Sequence, residues 1–252
     1  MYTSNEDELF CSKIEDIVSL SQVRQKPVFS QFMSERKQAL AIATLKKLRF
    51  DNYCFYGGHD ESERKILGVF FYDSDIEKHS LFPVSPIEFR FRQCDKLTHR
   101  DFLGALMSLG IERDTIGDIL VEDGRCVIFV KTELKEYIES QIFKIGRTGV
   151  KVVDCNLSDL PLGRGVDLLE FTVSSLRLDN IVAAVCGLSR DKTSRLILSG
   201  VVSHNYQPEQ NVSKVLKQGD SIIIRGKGKF ILDKIYGLTK KGRHKITVLY
   251  YK

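Results

Sequence analysis

Apolar positions recur with helical spacing over residues 6–25, where Leu9, Ile14, Ile17, Val18 and Val23 are available for one face until Pro27 ends the pattern. A second helix is predicted from Ser34 to about Leu48. There SERK offers a serine cap, and Ala39, Leu40, Ala43, Leu45 and Leu48 make up an apolar side. From Asn52 the aromatic and Gly-Gly signals of NYCFYGGHDESERK predict a short strand, a turn and a return strand over Leu67–Tyr72. Further on, alternating Ile and Phe mark a strand over Ile87–Arg92. A helix follows, opened by the capping-box spacing of Thr98 and Asp101 and closed by Gly110. Asp118–Val121 and Cys126–Lys131 read as a hairpin turning at Asp123 and Gly124; a helix over Glu133 to about Phe143 and a strand over Val150–Val153 complete the series.

The order β-α-β-β-α-β over residues 84–155 is the split βαβ, or ferredoxin-like, arrangement shared by RNA-recognition modules. Those modules stack bases on aromatics of one strand, whose counterpart here, RCVIFVKTEL, keeps only Phe129. This part therefore reads as a scaffold or a surface for nucleic-acid backbone. Two acidic and histidine groupings look chemical at first sight. His59, Asp60, Glu61 and Glu63 follow Gly57 and Gly58, but nothing nearby supplies converging metal ligands, so a solvated turn is the expectation. His99, Arg100 and Asp101 occupy the first turn of a predicted helix, where capping accounts for them.

The stretch RLDNIVAAVCGLSRDKTSRLILSG, residues 177–200, carries the clearest functional signal. Leu178, Ile181, Val182, Val185 and Leu188 lay one stripe along a helix ended by Gly187. Ser189 is placed to cap a second helix with its hydroxyl, and Gly200 stops that helix before Val201 and Val202. Arg190, Lys192 and Arg195 crowd the start of the second helix, where cations are unfavourable beside the positive end of the dipole. An anion is expected there, and a phosphate is the anion most often served by such a helix start. Val201–His204 is expected to pair with Ser221–Arg225 and Lys229–Leu232, with a final strand over Lys245–Tyr250. RGKGKF brings Arg225, Lys227 and Lys229 to one turn, and KKGR at 240–243 makes a second basic tip.

Charge supports this reading. The 252 residues carry a net +5, but residues 177–252 hold 15 Lys plus Arg against 5 Asp plus Glu, whereas residues 1–176 hold 23 against 28. A C-terminal third so basic attracts polyanions through counterion release, and nucleic acid is the leading candidate. With 42% hydrophobic and 28% charged residues the chain has the composition of a soluble globular protein, cytoplasmic by expectation. It shows no signal peptide or apolar run of the roughly 18 residues that a membrane span needs. The six cysteines are scattered and never form CxxC; they read as reduced, mostly buried thiols, and no metal or other cofactor is expected.

RLD at Arg177–Asp179, SRDK at Ser189–Lys192, SGVV at Ser199–Val202, Asn205 and QGD at Gln218–Asp220 together resemble the S4 RNA-binding domain. Adding GGHDESERK at 57–65 and LTHRDFLGALMSLGIERDTIGDILV at 97–121, the whole chain resembles the YlmH-type S4-domain proteins of bacteria and plastids. That resemblance implies an α+β protein of three parts: an N-terminal α+β region (1–80), a ferredoxin-like domain (81–172) and a C-terminal S4 domain (173–252). It also implies binding to structured RNA, association with ribosomal large subunits carrying stranded peptidyl-tRNA, and links to cell division or plastid function. On these grounds the expected partners are ribosomal RNA of the large subunit and tRNA beside it. Arg177, Arg190, Lys192 and Arg195 would hold phosphates, Ser189 and Thr193 would add hydroxyl bonds, and Asn180 and Asn205 would read sugar or base edges. Arg225, Lys227 and Lys229 would extend the track. A protein-interaction adaptor in cell division is the alternative. An enzyme is not expected: RLD resembles the aspartate motif of pseudouridine synthases, but it lies inside the S4 helix, no second RLD occurs upstream, and no nucleotide, hydrolase or zinc-peptidase motif appears.

Overall fold

The first helix, α1, spans Asn5–Arg24 and buries Asp7, Cys11, Ile14, Val18 and Ser21. Leu9 and Val23, expected on that face, are 61% and 82% exposed, because the stripe through Ile14 and Val18 runs through small and polar positions instead. Asp7 is tolerated there because Arg36 of α2 clamps its carboxylate at 2.7 and 2.9 Å. The computed structural model describes residues 5–71, 78–161, 166–239 and 242–251, in two compact units, Met1–Gly163 and Arg164–Lys252.

In the first unit a strand unforeseen from the sequence, β1 (Val28–Met33), precedes α2 (Glu35–Lys47), β2 (Tyr53–Tyr56) and β3 (Lys65–Val69). Central β3 pairs antiparallel with both β1 and β2. Ser34 stands at the cap position of α2 but makes no side-chain cap bond. The helix buries Ala41, Thr44 and Leu45, while Ala43 and Leu48 of the expected side face solvent. The return strand ends at Val69; Tyr72, its expected end, lies outside the described residues.

The central part runs β4 (Val84–Arg90), α3 (His99–Ser108), β5 (Ile116–Glu122), β6 (Arg125–Lys131), α4 (Lys135–Gln141), the small hairpin β7 (Lys144–Ile145) and β8 (Thr148–Gly149), and β9 (Lys151–Val153). Its four main strands lie in the order β5-β6-β4-β9, every neighbour antiparallel, which is the order of a split βαβ sheet. Asp101 accepts from the Thr98 amide at 2.8 Å and hydroxyl at 2.6 Å, so the start of α3 is a cap. One sheet face, with Ile87, Phe89, Cys126, Ile128 and Val130, packs under Phe102, Leu106 and Ile138 of the helices. The other face is also buried. Val127 and Phe129 pack with Phe32, Ile66, Phe70 and Phe82 from the preceding segments, and Phe129 has no exposed surface. No base can stack on it.

The turn after β2 is what covers this face, so it is not the solvated turn expected. Gly58 adopts φ +106, and a Cβ there would collide with the Phe129 ring. The His59 ring lies 4.8 Å from that of Phe129. Asp118 of β5 accepts the Glu63 and Arg64 amides at 2.7 and 3.0 Å, and Arg64 Nε donates to the Ile116 carbonyl at 2.8 Å. Burial, with Arg113 close by, pushes the Arg64 guanidinium down to about 10, so it stays charged at neutral pH. Asp60 and Glu61 do face solvent, and no cluster of His, Cys, Asp and Glu able to hold a metal exists among the described residues.

The second unit comprises β10 (Val166–Val173), α5 (Leu178–Cys186), α6 (Arg190–Leu198), β11 (Val202–His204), β12 (Gln207–Pro208), β13 (Ser221–Ile224), β14 (Gly228–Leu238) and β15 (His244–Tyr251). The strands form one antiparallel sheet, β10-β15-β14-β13-β11-β12. Leu178, Ile181, Val182 and Ile197 of the helices pack with Val202, Ile222, Phe230, Leu232, Ile246 and Val248. β10 pairs with β15 from Val166↔Tyr251 to Val173↔His244. The boundary expected after residue 172 therefore moves to 163, since β10 takes its hydrogen bonds from the last strand of the chain. The two expected N-terminal domains, joined by the shared aromatic cluster, make one unit. Of the cysteines, Cys11 and Cys126 are buried, Cys94 is exposed and the others are intermediate; all six are free.

Within the covered sheet face Arg125 (4% exposed) donates to Glu88 (1% exposed) at 2.9 Å. Arg90 Nε also donates to Glu88, at 2.6 Å, so Arg125→Ala leaves the buried carboxylate with one guanidinium partner of its two and is expected to lower unfolding free energy by about 1–3 kcal/mol. Asp159→Ala, which removes a partner that is 75% exposed, is expected to cost less than about 1 kcal/mol. Urea unfolding followed by circular dichroism distinguishes the two, and equal small losses would contradict the assignment.

Candidate functional site

Gly187, at φ +63, ends α5 in the left-handed conformation, and Leu188 and Ser189 turn the chain into α6. Ser189 is the N-cap by position, but its hydroxyl makes no cap bond. Its carbonyl instead accepts the Thr193 amide at 2.9 Å and hydroxyl at 3.0 Å. Thr193 is fully buried, so its expected contact with a ligand is not available.

A groove of about 390 Å³ opens between the start of α5 and α6. Ser174, Ser175, Arg177, Asp179 and Asn180 line it from the start of α5 and the segment before it, and Arg190 and Ser194 from α6. Arg177 is held by its own neighbour: Nε and Nη2 donate to the two Asp179 oxygens at 3.1 and 2.7 Å. That hydrogen bonding and charge raise the Arg177 pKa, and they occupy two of its five donors. Asn180 Nδ2 donates to Ser175 Oγ at 2.6 Å. Arg190 is exposed and, among the described residues, no carboxylate pairs with it.

The three cations expected together at the start of α6 are separated by the helix. At 100° per residue Lys192 lies about 200° around from Arg190, with Arg195 near Lys192 rather than Arg190. Arg195 sits in the last turn, where a cation is favourable, and Asp191 offsets part of the charge of the first turn. So Arg190 borders the groove while Lys192 and Arg195 face solvent on another side of α6, exposed and without an acidic partner among the described residues.

Asn205 serves the fold. With φ +45, followed by Tyr206 at φ +65, it forms the turn from β11 to β12. Its Oδ1 accepts the Ser221 amide at 2.8 Å and its Nδ2 donates to Asp220 at 2.8 Å. Asp220 also accepts the Lys217 amide at 2.8 Å and lies 2.9 Å from His204 Nε2. Arg225 and Lys227 are exposed on the turn between β13 and β14, as expected. Lys229 lies within β14, its Nζ 4.8 Å from the Tyr251 ring and 5.8 Å from that of Tyr206. In the second basic tip Lys240 and Lys241 lie outside the described residues, and Arg243 donates to the Thr172 carbonyl at 2.6 Å. The groove serines and the tyrosines beside Lys229 were not anticipated from the sequence. Asp179 was visible in RLD, but Ser174, Ser175 and Ser194 carry no periodic signal.

Fold and site thus define an α+β protein whose C-terminal unit presents exposed cations beside a polar groove. Residues 82–159 match a family model described as a putative RNA-binding domain in YlmH. The chain is 32% identical over 230 residues to the ribosome-associated protein quality control protein P2 of Bacillus subtilis (strain 168), covering 90% of this chain and 87% of that protein. It belongs to the YlmH family. Among solved structures it resembles the cell division protein ylmH from Streptococcus pneumoniae, with a TM-score of 0.53 at 23% identity over 63% of this chain and 96% of that one. No helix among the described residues is long and apolar enough to cross a membrane.

Burial alone would raise the Asp220 carboxyl, but the bonds from Asn205, the Lys217 amide and His204 outweigh it and hold its pKa below the usual value. A depressed carboxyl stabilises the fold above its unfolded pKa of about 4 and loses that contribution as pH falls through the lower folded value. Asp220→Asn is therefore expected to cost about 1–3 kcal/mol at pH 7, with the difference from wild type shrinking below about pH 4. Urea unfolding across that range measures it; a difference independent of pH would contradict the account.

Proposed function

We propose that this protein is a non-enzymatic binder of structured RNA that docks the basic surface of its S4-type C-terminal unit on ribosomal RNA of the large subunit, with peptidyl-tRNA beside it. The observation that carries this reading is that Arg190, Lys192, Arg195, Arg225 and Lys227 are exposed with no carboxylate partner among the described residues. A solvated surface would ordinarily intersperse both signs, and unpaired cations along one unit suit a run of phosphates. The relative named for ribosome-associated quality control supports the ribosome as the setting, and with it a cytoplasmic location. Arg177, engaged by Asp179, lines the groove and offers less free charge than Arg190.

The test is binding of the full chain to a transcribed domain of large-subunit ribosomal RNA at several salt concentrations. Arg190→Ala, Lys192→Ala and Arg195→Ala are each expected to reduce the slope of log K against log salt by about 0.7–0.9. Slopes unchanged in all three would refute the phosphate assignment. Lys192→Ala is expected to leave stability the same or slightly higher, and Arg195→Ala to lower it by at most ~0.5 kcal/mol, because the two sit at opposite ends of the α6 dipole. Melting curves of the same variants check this.

A fragment is expected to keep most of the salt-dependent affinity if it starts at residue 164. A start at 172 removes most of β10 and leaves β15 an unpaired edge. Tight binding by residues 1–163 but not by 164–252 would overturn the assignment. Recovery of a protein rather than RNA with the nuclease-treated full chain would favour an adaptor in cell division.

A further inference from the structure

We propose that the hairpin over residues 142–151 is a second RNA contact, in which Phe143 stacks on an unpaired base while Lys144, Arg147 and Lys151 hold the phosphates around it. This rests on the RNA-binding reading and adds to it a surface on the other unit and the kind of RNA that surface recognises.

The family model described as a putative RNA-binding domain falls on residues 82–159, in the first unit. There the sheet face that RNA-recognition modules use is buried, and Phe129 with it. An RNA contact on this part must therefore use an edge. Residues 142–153 contain three cations and no acid, within a stretch, 1–176, where Asp and Glu outnumber Lys and Arg by 28 to 23. Lys144, Arg147 and Lys151 are all exposed, and no carboxylate pairs with them among the described residues; the nearby Glu139 is paired with Lys135 at 3.8 Å.

On the same hairpin, next to Lys144 in the chain, Phe143 is 70% exposed. Single exposed apolar side chains are common on a protein surface, but among the described residues Phe143 is the most exposed aromatic, ahead of Tyr137 at 45% and Phe71 at 44%, and it is therefore the ring this unit offers most openly for stacking. The backbone is well anchored. Ile142, Ile145 and Val150 are 4%, 1% and 6% exposed in the core beneath, and the Val150 amide donates to the Phe143 carbonyl at 2.9 Å. Gly146, at φ +58, allows the tight turn that puts Arg147 at the tip. An exposed aromatic ring on an anchored backbone, carried by the same hairpin as unpaired cations, is a combination suited to single-stranded nucleic acid, since bases stack on the ring and phosphates meet the charges. A purely paired helix has no free base to offer.

The experiment uses the full chain and two fluorescein-labelled RNAs, a hairpin with an unpaired loop and a fully paired duplex of the same stem. Phe143→Ala is expected to weaken binding to the looped RNA by about five- to a hundred-fold. It should leave the duplex and the salt slope as in wild type, while Phe143→Tyr restores affinity for the loop. Arg147→Ala is expected to lower the slope by about 0.7–0.9 on the looped RNA. Thermal melting confirms folding; truncating a side chain that is 70% exposed removes little buried area. If Phe143→Ala binds the looped RNA as wild type does while Lys192→Ala weakens both RNAs, this inference falls and the docking reading stands. If wild type binds neither RNA, both fall.

Discussion

The burial of both faces of the central sheet is the constraint on which the first unit depends. Alternation along β6 sends Cys126, Ile128 and Val130 to the helices and Val127 and Phe129 to the N-terminal segments, so each apolar residue of that strand is committed to one core or the other. The second commitment explains several otherwise odd features. Gly58 has no side chain because the Phe129 ring occupies that space. Asp118 captures two amides of the covering turn, and Arg64 reaches back to carbonyls at the start of β5. Glu88 and Arg125 share the covered face and pair with each other, with Arg90 on the second Glu88 oxygen and Asp159 on a second guanidinium nitrogen.

The same constraint redirects function. A split βαβ sheet with an open face can present aromatics to bases; with that face closed, what remains accessible is its edges and turns. Cations of this unit that lack acidic partners are found at such a turn, around Phe143. The C-terminal unit solves the problem differently, with its charge on helices and hairpin turns that project from a sheet whose strands are fully paired in the interior. Within it α6 divides its cations between the groove and the opposite surface, and Asp179 restrains Arg177 between them. A ligand contacting Arg190 and one contacting Lys192 and Arg195 would approach from different sides, as a folded RNA with closely spaced strands could do.

Family membership and the local chemistry bear on different parts of the chain. The match described as an RNA-binding domain covers residues 82–159, while the excess of positive charge lies after residue 176. Two separated contacts on one RNA, each modest, would multiply in effect, since the second forms at the high effective concentration set by the first. On the proposed reading, the base contact would supply shape selectivity and the C-terminal cations would supply affinity that depends on salt.

Much of this protein was determined by local sequence. The α3 cap needs only Thr98 and Asp101, the ends of α5 and α6 need Gly187 and Gly200, and the β5–β6 turn needs Gly124, because each is a backbone requirement met within a few residues. The charge asymmetry was equally legible, being a property of composition. Tertiary structure decided whatever depends on partners distant in the chain. β10 joins the C-terminal unit because its partner is β15, more than seventy residues away. The buried side of α1 follows Ile14 and Val18 and excludes Leu9 because α2 and β3 meet it there. Asn205 and Thr193 look like ligand-reading side chains in the sequence, but Ser221, Asp220 and the Ser189 carbonyl take up their hydrogen bonds. Polar residues carry the same donors and acceptors whether they serve the fold or a ligand, and only the folded chain shows which of those groups already have partners.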